Sequence, residues 1–528
     1  MGNQKKVKRT KKTVSAKRDK EAFLHKQAES IARKHLDALN GIIADMDAHK
    51  EEYVKNPEKD FTRKRKIMFD DVIKFQLGIK SNSLRRESQA YFGELRNIDI
   101  YASAYVQQRN KLKDNTFYVL MNRFNEFCLQ ERGLKTWEGY RIMPVDGTVV
   151  NIPYNYESDT FVRGRQKNDA KMTQMEKLQE TMLKDFNLLP GSPDRKSQKL
   201  KNRTEKAEKK SKRKNTVPKE QRESGFNQFH ITTMYDAPNK LFLDAEIQPE
   251  GKNNEVRACI NMIKRNTFKQ KTILVADRGF GSRNLFHYCE LKENLDYAIR
   301  VKNDFTKRIK ALPLEAFDID ITDEIRTGQF KEDREAYQSG RACRLTAPSK
   351  DGKNRQPVTW DFESPCVITY RVVRFEIAKG NYETIVTSLD REQFPAEKLK
   401  ELYHMRWEVE TAYRWYKYAV GGSCFHSKNE LYIQQEIYSR IIMFNFCFTI
   451  ASQVEIEQKK EWKHKYVVNY TAAITICIDY FRKQDAGNEE EIIWLILKNK
   501  LPIREGRQNE RNLIAKRYES CNYRKTAA

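Results

Sequence analysis

The spacing of apolar positions divides the chain into a helical start, a strand-rich middle and a helical end. From 21 to about 135 they recur near i, i+3 and i+4, the spacing of one helix face. Leu24, Ala28, Ile31, Leu39, Ile42, Ile43 and Met46 predict a helix within 21–55. Ile67 to Leu77 predict another, ended by Gly78. Ser81 or Ser83 is placed to cap SLRRESQAYFGEL, and Ser103 to cap SAYVQQRNKL. Short helices on tight turns suit a helix-turn-helix arrangement. It would present Ser103, Gln107, Gln108, Arg109 and Lys111 to a nucleic-acid groove. An ordinary helical bundle with a polar face explains the same pattern.

From about 140 the period becomes two. Residues 140–150 predict strand, Asp146-Gly147 turn, strand. FHITTMYDA and KLFLDAEIQ predict a hairpin about Pro238-Asn239, followed by a helix over 255–266. A buried strand, Thr272 to Asp277, leads through Arg278-Gly279-Phe280-Gly281 to a helix that Ser282 can cap. YAIRV at 297–301 closes a mixed sheet with helices on its faces. Residues 305–390 are again strand-rich, with VTWDFE, CVITYRVVRFEIA and YETIVTSL. A long helix is expected at 395–419, then helices at 430–455, 466–483 and 489–499. The apolar run Ile441 to Ala451 suits a buried helix and is too short to span a bilayer.

Charge adds the next constraint. The 528 residues hold 99 Lys+Arg against 73 Asp+Glu, a formal net charge of +26. That surplus needs an anionic partner, nucleic acid before membrane surface. Much of it lies in a basic arm at 1–20 and a Lys/Arg-rich stretch at 164–222, which cannot supply a core. Both are expected to grip nucleic-acid backbone without sequence preference. The basic N-terminus lacks an apolar stretch after it, and Lys6 stands where a myristoylation motif needs Ser or Thr. A cytoplasmic, nucleoid-associated protein is expected. Nine scattered cysteines without a CxxC pair read as free thiols, and the histidine spacing predicts no zinc site.

Candidate chemistry concentrates in 395–419. On an unbroken helix with Tyr403 at 0°, Arg406 falls at about 300°, Glu410 at about 340° and Lys417 at about 320°. Glu408 falls on the opposite side, at about 140°. An acid between cations on one stripe suits a carboxylate that holds a metal, flanked by groups for phosphates. A solvated face with an Arg406–Glu410 ion pair explains the stripe too, and on the residues alone it is the favoured reading. Asp146 before Gly147 is an ordinary turn former, and Asp277 at a strand end an ordinary cap.

Taken together, these segments resemble a known family. Tyr403, Arg406, Glu410 and Lys417 meet the spacing Tyr-x2-Arg-x3-Glu-x6-Lys, which resembles the signature of a large branch of bacterial insertion-sequence DDE transposases. VDGTVV about Asp146 and ILVADRGFGSRNLF about Asp277 resemble its first and second catalytic-aspartate segments. The resemblance covers about residues 60–450.

It implies an α/β protein with an RNase H-like, retroviral-integrase-like catalytic domain and an inserted β-rich subdomain. A helix-turn-helix-like domain would precede it and a helical region follow. The implied divisions are an arm at 1–20, a DNA-binding region at 21–135, catalytic parts at 136–304 and 391–455, an insertion at 305–390, and a C-terminal region at 456–528. Asp146, Asp277 and Glu410 would hold two Mg2+ (or Mn2+) ions for in-line phosphodiester transfer. Tyr403, Arg406, Lys417, Arg278 and Trp407 would contact duplex DNA, both transposon ends and target, with Gln107, Arg109 and Lys111 in the end-binding helix. Trp407 or Trp360 could stack a flipped base if cleavage passes through a hairpin. A homodimer is implied in the DNA complex. The competing readings are a non-catalytic DNA-binding protein and an RNA-processing nuclease.

Overall fold

The computed structural model describes residues 31–131, 133–163, 225–326, 331–339, 343–344, 365–483 and 490–504. The arm at 1–20, the basic stretch at 164–222 and Trp360 lie outside the described residues. The chain divides into two compact units. One comprises Met1–Ile152, Phe229–Gln248 and Asn253–Ala528; the other comprises Pro153–Gln228 and Pro249–Lys252.

The larger unit begins with helices α1 (31–48), α2 (Phe69–Gly78), α3 (Leu84–Ser88), α4 (Ala102–Arg109) and α5 (Thr116–Glu131). Ser83 caps α3 by accepting from the Arg86 N–H. Ser103 caps nothing, because α4 starts one residue earlier, after Tyr101. Their apolar faces do not form a separate domain core. Leu36, Phe75 and Phe124 share one cluster with Phe444, Phe446 and Phe481 from the C-terminal helices. Those helices are α10 (Glu430–Ala451), α11 (Tyr470–Lys483) and α12 (Glu490–Lys498).

Between them lie α6 (Glu255–Arg265), α7 (Arg283–Glu290), α8 (Ala396–His404) and α9 (Trp407–Arg414). Helix α10 carries the apolar run and is buried on all sides from Ile441 to Ala451. The amide inside that run, Asn445, is well bonded: it accepts from the Phe242 N–H and donates to the Phe242 carbonyl and to Asn125. No helix of the described residues is long and apolar enough to cross a membrane.

The strands are β1 (Arg141–Ile152), β2 (Phe161–Arg163), β3 (Gly225–Asp236), β4 (Leu241–Pro249), β5 (Thr272–Ala276), β6 (Leu295–Val301), β7 (Phe317–Arg326), β8 (Cys343–Arg344), β9 (Cys366–Ala378) and β10 (Asn381–Thr387). The main sheet runs β3-β1-β5-β6-β10-β9-β7-β8, with β4 also on β3. Strands β1, β5 and β6 are parallel, while β10 meets β6 and β9 antiparallel. The protein is therefore a mixed α/β fold with a large central sheet.

Two expectations need correction. The strands of 305–390 do not form a sheet of their own; β10 takes the open edge of β6 and carries β9, β7 and β8 with it. Alternation shows that a segment is a strand but not which edge it joins. Nor does the chain turn at Asp146-Gly147: β1 runs straight through both residues. In the smaller unit, β2 pairs antiparallel with the first residues of β3, and Asn227 bonds Asn155 and Thr160.

Candidate active site

Alternation along the two central strands sets the site. On one face Ile142, Ile273 and Val275 pack with Leu399, Leu402 and Tyr403 of α8. On the other, Met143, Val145, Leu274 and Ala276 pack with α6 and α7. Val145 pairs with Ala276 in parallel register, so Asp146 and Asp277 are the next residues of adjacent strands. The period of two sends both toward the α8–α9 face. Each aspartate is tied to its own turn of chain: Asp146 Oδ1 accepts from the Gly147 N–H at 2.8 Å, and Asp277 Oδ1 from the Gly279 N–H at 2.7 Å.

The third acid comes from α9, which packs on β1. Arg406 links it to the first: its guanidinium lies 2.8 Å from Glu410 Oε1 and 3.5 Å from Asp146 Oδ2. Tyr413, one turn further along α9, donates to the Asp146 carbonyl oxygen at 2.6 Å and bonds Thr233 at 2.8 Å. Burial holds the Tyr413 phenol well above its usual range, so it stays a donor. We expect Tyr413→Phe to lower stability by about 1 kcal/mol. The tie between α9 and β1 is then cut, and urea melts of the two proteins check the loss.

Asp146 senses the other two acids. Burial pushes Asp146 up to about 6; the Gly147 N–H and Arg406 pull it down, and the charges of Asp277 and Glu410 push it up again. An acid in that state gains from a proton, an arginine or a metal cation beside it. Among the described residues no group of three His, Cys, Asp or Glu side chains stands ready to enclose a metal ion. Mg2+ does not require such a cage, since it keeps several waters and commonly takes one or two carboxylates plus substrate phosphates. Asp146 within β1 and Asp277 just past the end of neighbouring β5, both hard oxygen donors, fit that demand.

The single stripe expected over four helical turns is not found. After α8 the bonds tighten to i→i−3, with Met405 N–H to Leu402 and Arg406 N–H to Tyr403, both 3.1 Å. After α9 they loosen into a π-helical turn, Trp415–Ala419. Each change of winding rotates the later residues about the helix axis. Tyr403, before the first change, is buried with Leu399 and Leu402 and still borders Arg406, which pairs with Glu410; Lys417, beyond both changes, lies half-buried in the π turn. Trp407 is exposed, with the Arg406 guanidinium 4.6 Å from its ring centroid. Arg278 is exposed beside Asp277.

In the N-terminal helices Gln107 is exposed, and Lys111 bonds Gln108 and lies 5.0 Å over the Phe61 ring. Arg109 corrects the groove-facing expectation. It is buried, bonded to Gln435, Glu436 and the Tyr432 carbonyl, because the fully buried Glu436 requires a cation.

A fourth carboxylate lies in the site that the linear motifs did not indicate. Glu255, in the first turn of α6, accepts from His230 Nε2 at 2.8 Å. Glu255 Oε2 and Asp277 Oδ1 lie 3.5 and 3.0 Å from the point a Gly279 Cβ would occupy. Its only sequence signal was Gly147, a glycine inside a strand, which marks close approach of another group.

The family model described as "Transposase DDE domain" matches residues 137–446, more than half of the chain. The chain belongs to the DDE transposase family. Asp146, Asp277, Glu410 and Glu255 all fall inside the matched span, so this is a transposase whose domain supplies the acids described above. DDE transposases generally use divalent metal ions. No curated protein matches the transposase. Among solved structures, a piggyBac transposase synaptic complex with hairpin DNA is similar at 10% identity and a TM-score of 0.37, covering 91% of this chain and 84% of that one.

Proposed function

We propose that the chain is a cut-and-paste DNA transposase of the bacterial insertion-sequence branch, with an RNase H-like catalytic domain. On this reading it binds the ends of its element as a dimer and carries out metal-dependent cleavage and strand transfer. The observation that carries the reading is the convergence of Asp146 and Asp277, from neighbouring parallel strands, with Glu410 from the helix packed on that face.

Asp146 and Asp277 would hold a divalent cation, with Glu410 serving a second. Such ions would supply activation of a water or 3′-hydroxyl and charge stabilisation at the leaving oxygen. The chain's own groups do the rest. Arg406 neutralises Asp146 and Glu410 while no DNA is present. A scissile phosphate offers its guanidinium a bidentate partner instead. Arg278 and Lys417 supply further positive charge to the backbone, and Trp407 offers an exposed ring for a base. Gln107 and Lys111 remain for contacts outside the centre; Arg109 does not, since it belongs to the core.

The test is cleavage of linear DNA carrying the terminal repeats of the encoding element, with Mg2+ or Mn2+ and with EDTA. Asp277→Ala should lose cleavage by about a thousandfold, since removing a cation ligand forfeits roughly 4 kcal/mol of transition-state stabilisation. End binding should persist in a gel-shift assay. Wild-type cleavage by Asp277→Ala, or cleavage undiminished by EDTA, would falsify the assignment. Binding without any cleavage by the native chain would leave a non-catalytic DNA-binding protein.

A further inference from the structure

Glu255 has an environment that a surface carboxylate at a helix start does not need. It stands one residue after the cap of α6, where Asn254 already accepts from the Arg257 N–H at 2.9 Å. Glu255 is therefore free of the capping role that acids often play in a first turn. Its Oε1 is held instead by His230, a buried imidazole on β3. The other ring nitrogen, Nδ1, faces the Asn253 side-chain amide at 3.0 Å. An amide NH2 can only donate, so Nδ1 accepts and Nε2 carries the hydrogen that points at Glu255. The imidazole thus holds the carboxylate without needing a charge, and the loop before α6 fixes the ring.

The backbone beside the two aspartates is shaped around this pair. A Cβ on Gly147, the residue after Asp146, would stand inside contact distance of Glu255 Oε1 and His230 Nε2. A Cβ on Gly279, two residues after Asp277, would stand 3.5 Å from Glu255 Oε2. The two oxygens of one carboxylate thus face the backbone that follows each aspartate. Tyr413, which bonds the Asp146 carbonyl, is pushed up by the charges of Asp146 and Glu255 after burial itself. The same phenol thus feels the charge of both carboxylates.

We infer that Glu255 is a fourth working carboxylate of the centre, completing the cation site between Asp146 and Asp277, and that His230 is its positioning residue. This rests on the reading of the centre as a metal-dependent transposase site. Glu255 enters from the sheet face opposite α9, so it supplies oxygen from a side that Glu410 does not cover. A partner that fixes a ligand's orientation is commonly worth 10- to 100-fold in metal affinity or activity.

The experiment is a Mn2+ titration of the full-length chain without DNA, followed by electron paramagnetic resonance, beside a thermal melt and the cleavage assay. Glu255→Gln keeps the shape and removes the charge. It should weaken Mn2+ binding at least about tenfold and cut cleavage about a hundredfold, with the melt within a few degrees of the native chain. His230→Phe should weaken Mn2+ binding about tenfold, and His230→Gln, whose amide can still donate, should recover part of it. Gly147→Ala, whose new methyl displaces the Glu255 carboxylate, should mimic Glu255→Gln.

Native Mn2+ affinity in Glu255→Gln, while Asp277→Ala has lost it, overturns the role of Glu255 and leaves the metal-centre reading standing. Native affinity in both variants overturns both. A loss in His230→Phe that His230→Gln does not recover at all overturns the positioning role.

Discussion

Asp146→Asn yields a protein that melts at a higher temperature than the native chain and no longer cleaves DNA. The two effects share one cause. Burial, reinforced by the charges of Asp277 and Glu410, raises Asp146 from an ordinary 3.8 to about 6. A folded-state value above the unfolded one means that the native fold prefers the neutral acid. This contribution is fully present below about pH 4 and is lost as pH rises through about 6. At neutral pH the ionised carboxylate therefore costs the fold up to about 3 kcal/mol, since each tenfold change in proton affinity is worth about 1.4 kcal/mol.

Asparagine has the shape of the neutral acid and removes that cost. It also removes a charge the cation needs, and cleavage should fall by about a thousandfold. Thermal melts near pH 7.5 in EDTA and cleavage assays in Mg2+ check the two halves. A lower melting temperature for the variant would refute the burial argument, and native cleavage would refute the catalytic one. Strain of this kind is what a site bears when activity and stability pull apart.

Arg109→Ala should damage folding rather than selectively weaken DNA recognition. Arg109 and Glu436 are both buried, 3.2 Å apart, with Gln435 and the Tyr432 carbonyl completing the arginine's bonds. His426 closes the other side, bonding Glu436 at 3.1 Å. Removing one partner leaves a buried charge uncompensated, which typically costs about 3–5 kcal/mol. Urea denaturation of the two proteins reads this directly, and a loss below about 1 kcal/mol would refute it.

The same pair predicts an acid limit. Burial works against the Glu436 charge, but the bond and charge of His426 together with Arg109 hold the carboxyl down at about 2. A depressed acid stabilises the fold above its unfolded value of 4.5, and that stability drains away as pH falls from there toward 2. Glu436→Gln should flatten this part of the stability profile. An unchanged profile in that variant would assign the acid limit to other groups.

Local pattern carried much of this protein. Thr272–Ala276 as a buried strand, Arg283–Glu290 as a helix and Ile441–Ala451 as a core segment were all readable, because a run of apolar residues at period two or 3.6 has one low-energy way to hide itself. Asp146, Asp277 and Glu410 stood out because three short segments each carried an acid in a recognisable frame. Where the pattern misled, a long-range partner had overruled a local preference. Asp-Gly usually turns a chain, yet β1 goes straight, held in the sheet between β3 and β5. Helix 395–419 changes its winding twice as it crosses the sheet.

Sequence by itself determined most of the elements and the surplus of positive charge, and it singled out the candidate acids, since each of these is a property of neighbours along the chain. Only the tertiary structure decided that β10 extends the central sheet, that Arg109 belongs to the core and that Arg406 bridges Asp146 and Glu410. It alone brought His230 and Glu255 to the aspartates, from 25 residues apart in the chain. Such meetings depend on strand register and helix packing, which are settled by burial summed over the whole fold and leave no mark at the separate positions that meet.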